Sequence, residues 1–277
     1  MTRRTGTGQG AGTGRLAGGR AGFTLIELLV VIAIIAVLVG LTSAAVMRVR
    51  SSATRAKNRN QIEQIDVAAK SFCGQEVNSK IGFLPPPPFN LKSQYSANEP
   101  EASYLKQLFP NLNLGNTGLP NARLEDGNQV ALFFLTGGEV TNYTGFSNNP
   151  QQPFTPGTAG ENRRGPYLQL QASMYNRAAN GMGQLIDPYG TPYVIFIAGP
   201  KGAYTNATGG TQTMAGMSPF SRGTPVKFEV QKGPLQIISA GENQQFGTGG
   251  NWGAGIAGPG QDDVSNFSSA QLGAGPQ

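Results

Sequence analysis

The sequence predicts an α+β protein in which a long N-terminal helix packs on a small antiparallel β-sheet. An apolar run from Phe23 to Met47 starts the helix. Apolar residues at steps of mostly three or four then continue to about Gly74, a spacing typical of an amphipathic helix. Strand-like runs occur only late in the chain, so the helix precedes the sheet along the sequence, an order typical of α+β domains.

The apolar run is long enough to cross a membrane. It holds 25 residues, and Glu27 is the only charged one. At ~1.5 Å per residue such a helix is ~37 Å long, whereas the hydrocarbon layer is ~30 Å thick. The alternative is a secretory signal peptide cut near Ser43-Ala44-Ala45, but its apolar region is usually ~7–15 residues. The length therefore favours a membrane-spanning helix.

The composition excludes several classes of site. The chain has no histidine and a single cysteine, Cys73, which excludes His-based catalytic sites, His-zinc sites and an intrachain disulfide. Four basic residues and no acidic residue precede Phe23, leaving 17 bases against 15 acids in the rest of the chain. The net charge of +6 therefore predicts no nucleic-acid partner. No recognisable pair of acids or phosphate-binding loop indicates an enzyme.

The stretch "RAGFTLIELLVVIAIIAVL", which starts at Arg20, resembles the class III signal of type IV pilins and type II secretion pseudopilins. The resemblance implies that a prepilin peptidase cuts between Gly22 and Phe23 and methylates the new N-terminus. It also makes Glu27 the conserved acid of the family. A charge in a bilayer segment normally finds a partner, and Glu27 lies one turn from the amine of a neighbour's Phe23 in a bundle. In a monomer it could instead reach the interface.

The resemblance implies a structural subunit of a type II secretion pseudopilus or a type IV pilus-like filament, and no enzymatic activity. Its partners would be the prepilin peptidase, identical or related pilin subunits and an inner-membrane assembly platform. It implies a single-pass inner-membrane protein whose C-terminal domain lies in the periplasm. The alternatives are a minor pilin or adhesin-type binding subunit, and a Sec-secreted or membrane-anchored binding module.

Three later stretches resemble the major pseudopilin of type II secretion. They are "RGPYL" (164–168), "DPYGTPYVI" (187–195), and "ISAGENQQFG" (238–247) followed by "DDVSNF" (262–267). The third resembles a calcium-binding loop, which implies that Asp262 and Asp263 are calcium ligands. The sequence departs from the family there, with Glu242-Asn243 in place of Asp-Gly and several extra residues. Two adjacent acids in a Gly-rich tail more often belong to a solvated segment.

Local patterns predict the remaining elements. Helices are expected at Glu101–Phe109 and from near Asp126 to a stop at Gly137-Gly138, and a loop at 141–164. Strands are expected at 193–198, 226–230 and 235–239. The last two are expected to form a hairpin, to which the first could add a third strand, with 201–223 as a long connection.

These patterns divide the chain into five expected segments. They are a leader at 1–22, a transmembrane segment at 23–47, the amphipathic second half of the helix at 48–75, an inserted or variable region at 76–163, and a β-sheet region with a Gly-rich C-terminal loop at 164–277.

Overall fold

The computed structural model describes residues 22–74, 83–138, 144–157, 161–199, 202–222, 228–229, 233–252, 256 and 258–274. It divides into two units, one ending at Arg50 and the other beginning at Ser51. The α-helices of the described residues are α1 Leu25–Gly74, α2 Pro100–Leu108 and α3 Gly127–Thr136. A long apolar N-terminal helix thus precedes a mixed α/β domain that contains small antiparallel sheets.

The strands of the described residues are short. They are β1 Phe89–Leu91, β2 Ala122–Leu124, β3 Phe146–Ser147, β4 Arg163–Arg164, β5 Tyr175–Arg177, β6 Gly183–Leu185, β7 Val194–Ile197, β8 Ser218–Arg222, β9 Phe228–Glu229, β10 Leu235–Ser239, β11 Gly249–Asn251 and β12 Val264–Ser265. A three-stranded antiparallel sheet has the order β12-β10-β7. A mixed three-stranded sheet has the order β11-β8-β9, in which β11 and β8 are parallel and β8 and β9 antiparallel. The pairs β1-β2, β3-β4 and β5-β6 are each antiparallel.

The helices follow their sequence signals closely. The expected end of α1 near Gly74 is confirmed, and α2 matches its expected range within one residue at each end. At the start of α3, the Asp126 carboxylate accepts a hydrogen bond from the backbone N–H of Gln129, as an N-cap does. At its end, Gly137 has a φ of 96°, a conformation that glycine adopts without strain.

Strand pairing differs from the expectation. The expected hairpin between 226–230 and 235–239 is wrong, because β9 pairs with β8 and β10 pairs with β7. The region 201–223 is correspondingly not only a connection, since it contains β8. The expected loop at 141–164 includes the paired strands β3 and β4. The expectation that 193–198 joins 235–239 in one sheet is confirmed.

The β7–β10 ladder is buried on both faces, which explains the continuous apolar sequence of β7. On one face Ile195 and Ile237 join the main hydrophobic core. On the other face Val194 and Ile238 join a second cluster that includes Trp252. β7 and β10 therefore each place apolar side chains on both faces of the sheet, and the two strands pair with each other.

The main core joins the second half of α1 to the rest of the domain. Ile65 and Phe72 of α1 are fully buried there. The Phe72 ring lies 6.2 Å from the ring of Phe134 in α3 and 5.3 Å from that of Tyr167. Phe134 belongs to the region 76–163, which was expected to be an insertion. Described residues of that region therefore share one core with the second half of α1.

The "DPYG" stretch forms the tight turn that its residues predict. The Asp187 carboxylate accepts hydrogen bonds from the backbone N–H groups of Tyr189 and Thr191, at 3.0 and 2.9 Å. Gly190 has a φ of 90°, which glycine allows. Asp187 is itself buried and accepts a hydrogen bond from the Ser239 hydroxyl at 2.7 Å. The turn is therefore fixed to β10 just before β7 begins.

Gly127→Ala is expected to destabilise the domain by about 1–3 kcal/mol, the usual cost of overpacking. A Cβ on Gly127 would lie 2.0 Å from the backbone oxygen of Ile195, which cannot move without disturbing β7. Gly115→Ala is the matched control, because its Cβ would meet the Asn113 side chain at an ordinary 3.4 Å. Denaturation of the full-length variants in detergent measures both effects, and equal stabilities would contradict this packing.

Candidate functional site

The start of α1 carries a reciprocal set of hydrogen bonds around Glu27. One Glu27 carboxylate oxygen accepts from both the backbone N–H and the hydroxyl of Thr24, each at 2.8 Å. In return, the Thr24 hydroxyl oxygen accepts from the backbone N–H of Glu27 at 3.3 Å. This is a capping box, in which a Thr and a Glu three residues later satisfy each other's backbone donors.

The capping box gives Glu27 a local role that the sequence analysis missed. The signal was present, because Thr24 and Glu27 have the Thr-x-x-Glu spacing just before a helical run. A carboxylate in the first turn also interacts favourably with the positive end of the helix dipole. Gly22 and Phe23 precede this turn without being part of the helix. The expected cleavage point thus lies immediately before the capped helix start.

The apolar part of α1 is exposed throughout the first unit. Large hydrophobic side chains from Phe23 to Val49 are between 46 and 81 % exposed. Within the described residues, α1 is the one helix that is long and apolar enough to cross a membrane. Burying this surface in lipid would remove it from water, which is strongly favourable for apolar groups.

The comparisons with known proteins match this same segment. The family model of the prokaryotic N-terminal methylation motif matches residues 18–43. The chain therefore carries a prepilin-type signal. Comparison with curated proteins gives no match, and comparison with solved structures gives none either. The motif and the exposed apolar helix together fit a membrane-anchored protein that is processed like a type IV prepilin.

Asp262 and Asp263 are the second set of expected site residues. Asp262 is the last residue of a 3-10 helix at Gly258–Asp262, and Asp263 lies between that helix and β12. Asp262 accepts a hydrogen bond from the backbone N–H of Asn243 at 3.0 Å, and Asn243 donates to the Pro259 carbonyl at 2.6 Å. These bonds fasten the loop after β10 to the segment that holds the two acids.

Asp263 is fully buried and only half satisfied. Its Oδ2 accepts from the backbone N–H of Gly247 at 3.2 Å, while Oδ1 has no hydrogen-bond partner among the described residues. Burial, with a smaller contribution from the neighbouring charge of Asp262, raises the pKa of Asp263 to about 7. A buried carboxylate with a free oxygen needs either a proton or a cation.

This donor set fits a hard cation in part. Asp263 offers an unpaired buried oxygen, and Asp262 is a second carboxylate adjacent to it in sequence. Glu242, which stands where the resembled loop has an Asp, instead accepts from Arg55 at 3.0 Å and from the Ser51 hydroxyl at 3.2 Å. No cluster of three or more acidic, His or Cys side chains occurs among the described residues. Any further ligands would therefore be neutral oxygens of backbone carbonyls, of amide or hydroxyl side chains, or of water.

Proposed function

We propose that this protein is a structural subunit of a type II secretion pseudopilus or a type IV pilus-like filament. The observation that carries the proposal is the methylation motif at 18–43, which coincides with the exposed apolar start of α1. A prepilin peptidase would cut between Gly22 and Phe23 and methylate the new N-terminus. The subunit would be stored as a single-pass inner-membrane protein, with its C-terminal domain in the periplasm, until the assembly platform inserts it.

Glu27 is proposed to guide assembly by pairing with the Phe23 amine of a neighbouring subunit. Thr24 gives the carboxylate two neutral hydrogen bonds within its own chain, but these leave its negative charge in place. A charge in a lipid-facing segment is costly, and a cation offsets that cost. Assembly in register would bring one amine to each carboxylate and neutralise both groups.

Two of the stretches that resemble the major pseudopilin have defined places in the domain. The "DPYG" turn is fastened to β10 through Asp187 and Ser239. In "RGPYL", the backbone N–H groups of Tyr167 and Leu168 both donate to the Leu135 carbonyl at the end of α3. The "DPYG" and "RGPYL" stretches thus both support the packing of the domain. A minor pilin or adhesin-type subunit and a membrane-anchored binding module are the competing functions.

Processing at Gly22 tests the proposal directly. In a host that has a prepilin peptidase, the mature chain is expected to begin with N-methylated Phe23. Gly22→Val is expected to retain the leader, because a side chain would stand at the cut, while Gly12→Val in the same leader is expected to be processed normally. N-terminal sequencing and intact mass read out both. A mature chain starting near Val46 would instead identify an ordinary secreted protein.

Replacing Glu27 separates its charge from its capping role. Glu27→Gln keeps a side-chain oxygen that can accept from Thr24 but removes the charge. We expect the variant to remain in the membrane and to enter filaments at least about tenfold less than wild type, equivalent to ~1.4 kcal/mol. Glu63→Gln, which removes an exposed acid from the second half of α1, is the control. Filament yields in sheared fractions provide the measurement, and normal assembly of the Glu27→Gln variant would refute charge pairing.

A cation site at Asp263 is a second proposal, supported by its unpaired buried oxygen. Asp263 and Asp262 would hold calcium, and the ion would supply the positive charge that the buried carboxylate lacks. Its effect would be structural, because the two acids sit where the loop after β10 meets the segment before β12. A bound ion would therefore stabilise the C-terminal part of the domain.

Calcium is expected to raise the melting temperature of the full-length protein above that measured in chelator. The buffer should be at pH 8, where the Asp263 carboxyl, with a pKa of about 7, is mostly charged. A ligand at a hundred times its Kd adds about 2.7 kcal/mol. Asp263→Asn is expected to abolish the shift, whereas Glu125→Gln, at an exposed ion pair with Arg123, should keep it. Identical melting in calcium and chelator would remove the site.

A further inference from the structure

The five basic residues that follow the apolar run fall into two groups. Three of them belong to the second unit and contact it. Arg55 pairs with Glu242, Lys57 donates to the Ser173 hydroxyl at 3.5 Å, and Arg59 donates to a backbone carbonyl at position 269. These three bases fasten the second half of α1 to the rest of the second unit. The other two, Arg48 and Arg50, close the first unit.

Arg48 and Arg50 are exposed, and no side-chain hydrogen bond or ion pair joins Arg48 to a described residue. They stand directly after the uncharged stretch that begins beyond Glu27. The 21 helical steps from Glu27 to Arg48 correspond to ~32 Å of helix, close to the ~30 Å thickness of the hydrocarbon layer. If Glu27 lies at one interface, the two arginines therefore reach the headgroups of the opposite leaflet.

We propose that Arg48 and Arg50 bind the phosphates of anionic phospholipids at the end of the transmembrane segment. A guanidinium group suits this role, because it can donate two parallel hydrogen bonds to a phosphate. Bases beside an anionic membrane surface are attracted to it at close range. The inference rests on the proposed membrane crossing of α1 and is independent of filament assembly.

The spacing of the two arginines favours lipid over a nucleic acid. Residues two apart on a helix of 3.6 residues per turn point about 200° from each other. Arg48 and Arg50 therefore project from opposite sides of α1. Lipid headgroups surround a spanning helix and can meet both side chains, whereas a nucleic-acid strand lying along one side would reach one of them.

The test uses the full-length protein in phosphatidylcholine vesicles with trace amounts of spin-labelled lipids. Electron paramagnetic resonance then compares how strongly labelled phosphatidylglycerol and labelled phosphatidylcholine associate with the protein. We expect wild type to prefer phosphatidylglycerol by about two- to fivefold and to lose most of the preference at high salt. In Arg48→Gln/Arg50→Gln the ratio should approach one, and Arg48→Lys/Arg50→Lys should retain part of it.

Two controls make the outcome specific. Arg123→Gln/Arg177→Gln removes the same charge from exposed positions of the domain and should leave the preference unchanged. Inorganic phosphate at constant ionic strength should not abolish it. The inference would be overturned if wild type showed no preference for phosphatidylglycerol, which is also the result expected if the two arginines bind a nucleic acid. It would equally be overturned if the preference survived in the Arg48→Gln/Arg50→Gln variant. Resistance to alkaline extraction reports separately on whether α1 crosses the bilayer.

Discussion

The position of the second half of α1 on the rest of the domain depends on one buried amide, Asn58. Its Nδ2 donates to the Ser239 hydroxyl at 2.8 Å, and its Oδ1 accepts from the Tyr193 hydroxyl at 2.9 Å. All three side chains are buried, and a buried polar group without a partner costs about 1–3 kcal/mol. Sliding the helix by one turn, ~5.4 Å, would separate Asn58 from both partners and leave its buried amide unpaired. Apolar packing favours contact of α1 with the sheet, and this amide selects its register.

The same contacts extend to the turn that leads into the sheet. Ser239 accepts from Asn58 and donates to Asp187, whose carboxylate organises the "DPYG" turn before β7. A second link lies further along α1, where the Asn266 amide donates to both Asp66 and the Leu235 carbonyl. Helix, turn and the paired strands β7 and β10 are thus positioned by side chains that are distant in sequence. This explains why the "DPYG" stretch, a turn by its residues alone, belongs to the framework of the domain.

The sequence was informative wherever a signal was local. The ends of α1 and α3 could be predicted because periodicity, the Asp126 cap and Gly137 act within a few residues. Strand pairing could not, because β9 and β10 are neighbours in the chain but pair with β8 and β7 instead of with each other, and β7 is distant from β10 in sequence. The pairing of Glu242 with Arg55 joins residues 187 positions apart, and no local pattern indicates it. The Thr24–Glu27 capping box could have been predicted from the Thr-x-x-Glu spacing, whereas the family resemblance implies only an intermolecular role for Glu27.

The charges at the two ends of the apolar segment also constrain how a subunit could leave the membrane. Glu27 and Arg48 are separated by about the thickness of the hydrocarbon layer, so a shift of one turn in either direction would draw one of them into it. A charge at the bilayer centre costs ~2.5–3.5 kcal/mol on insertion scales. Under the proposed function, extraction toward the periplasm moves Glu27 inward and takes the arginines away from the headgroups. Both changes oppose extraction, and a neighbouring Phe23 amine would offset the first of them. The same carboxylate would then hold the free subunit at its depth and make its release depend on a filament end that offers a cation.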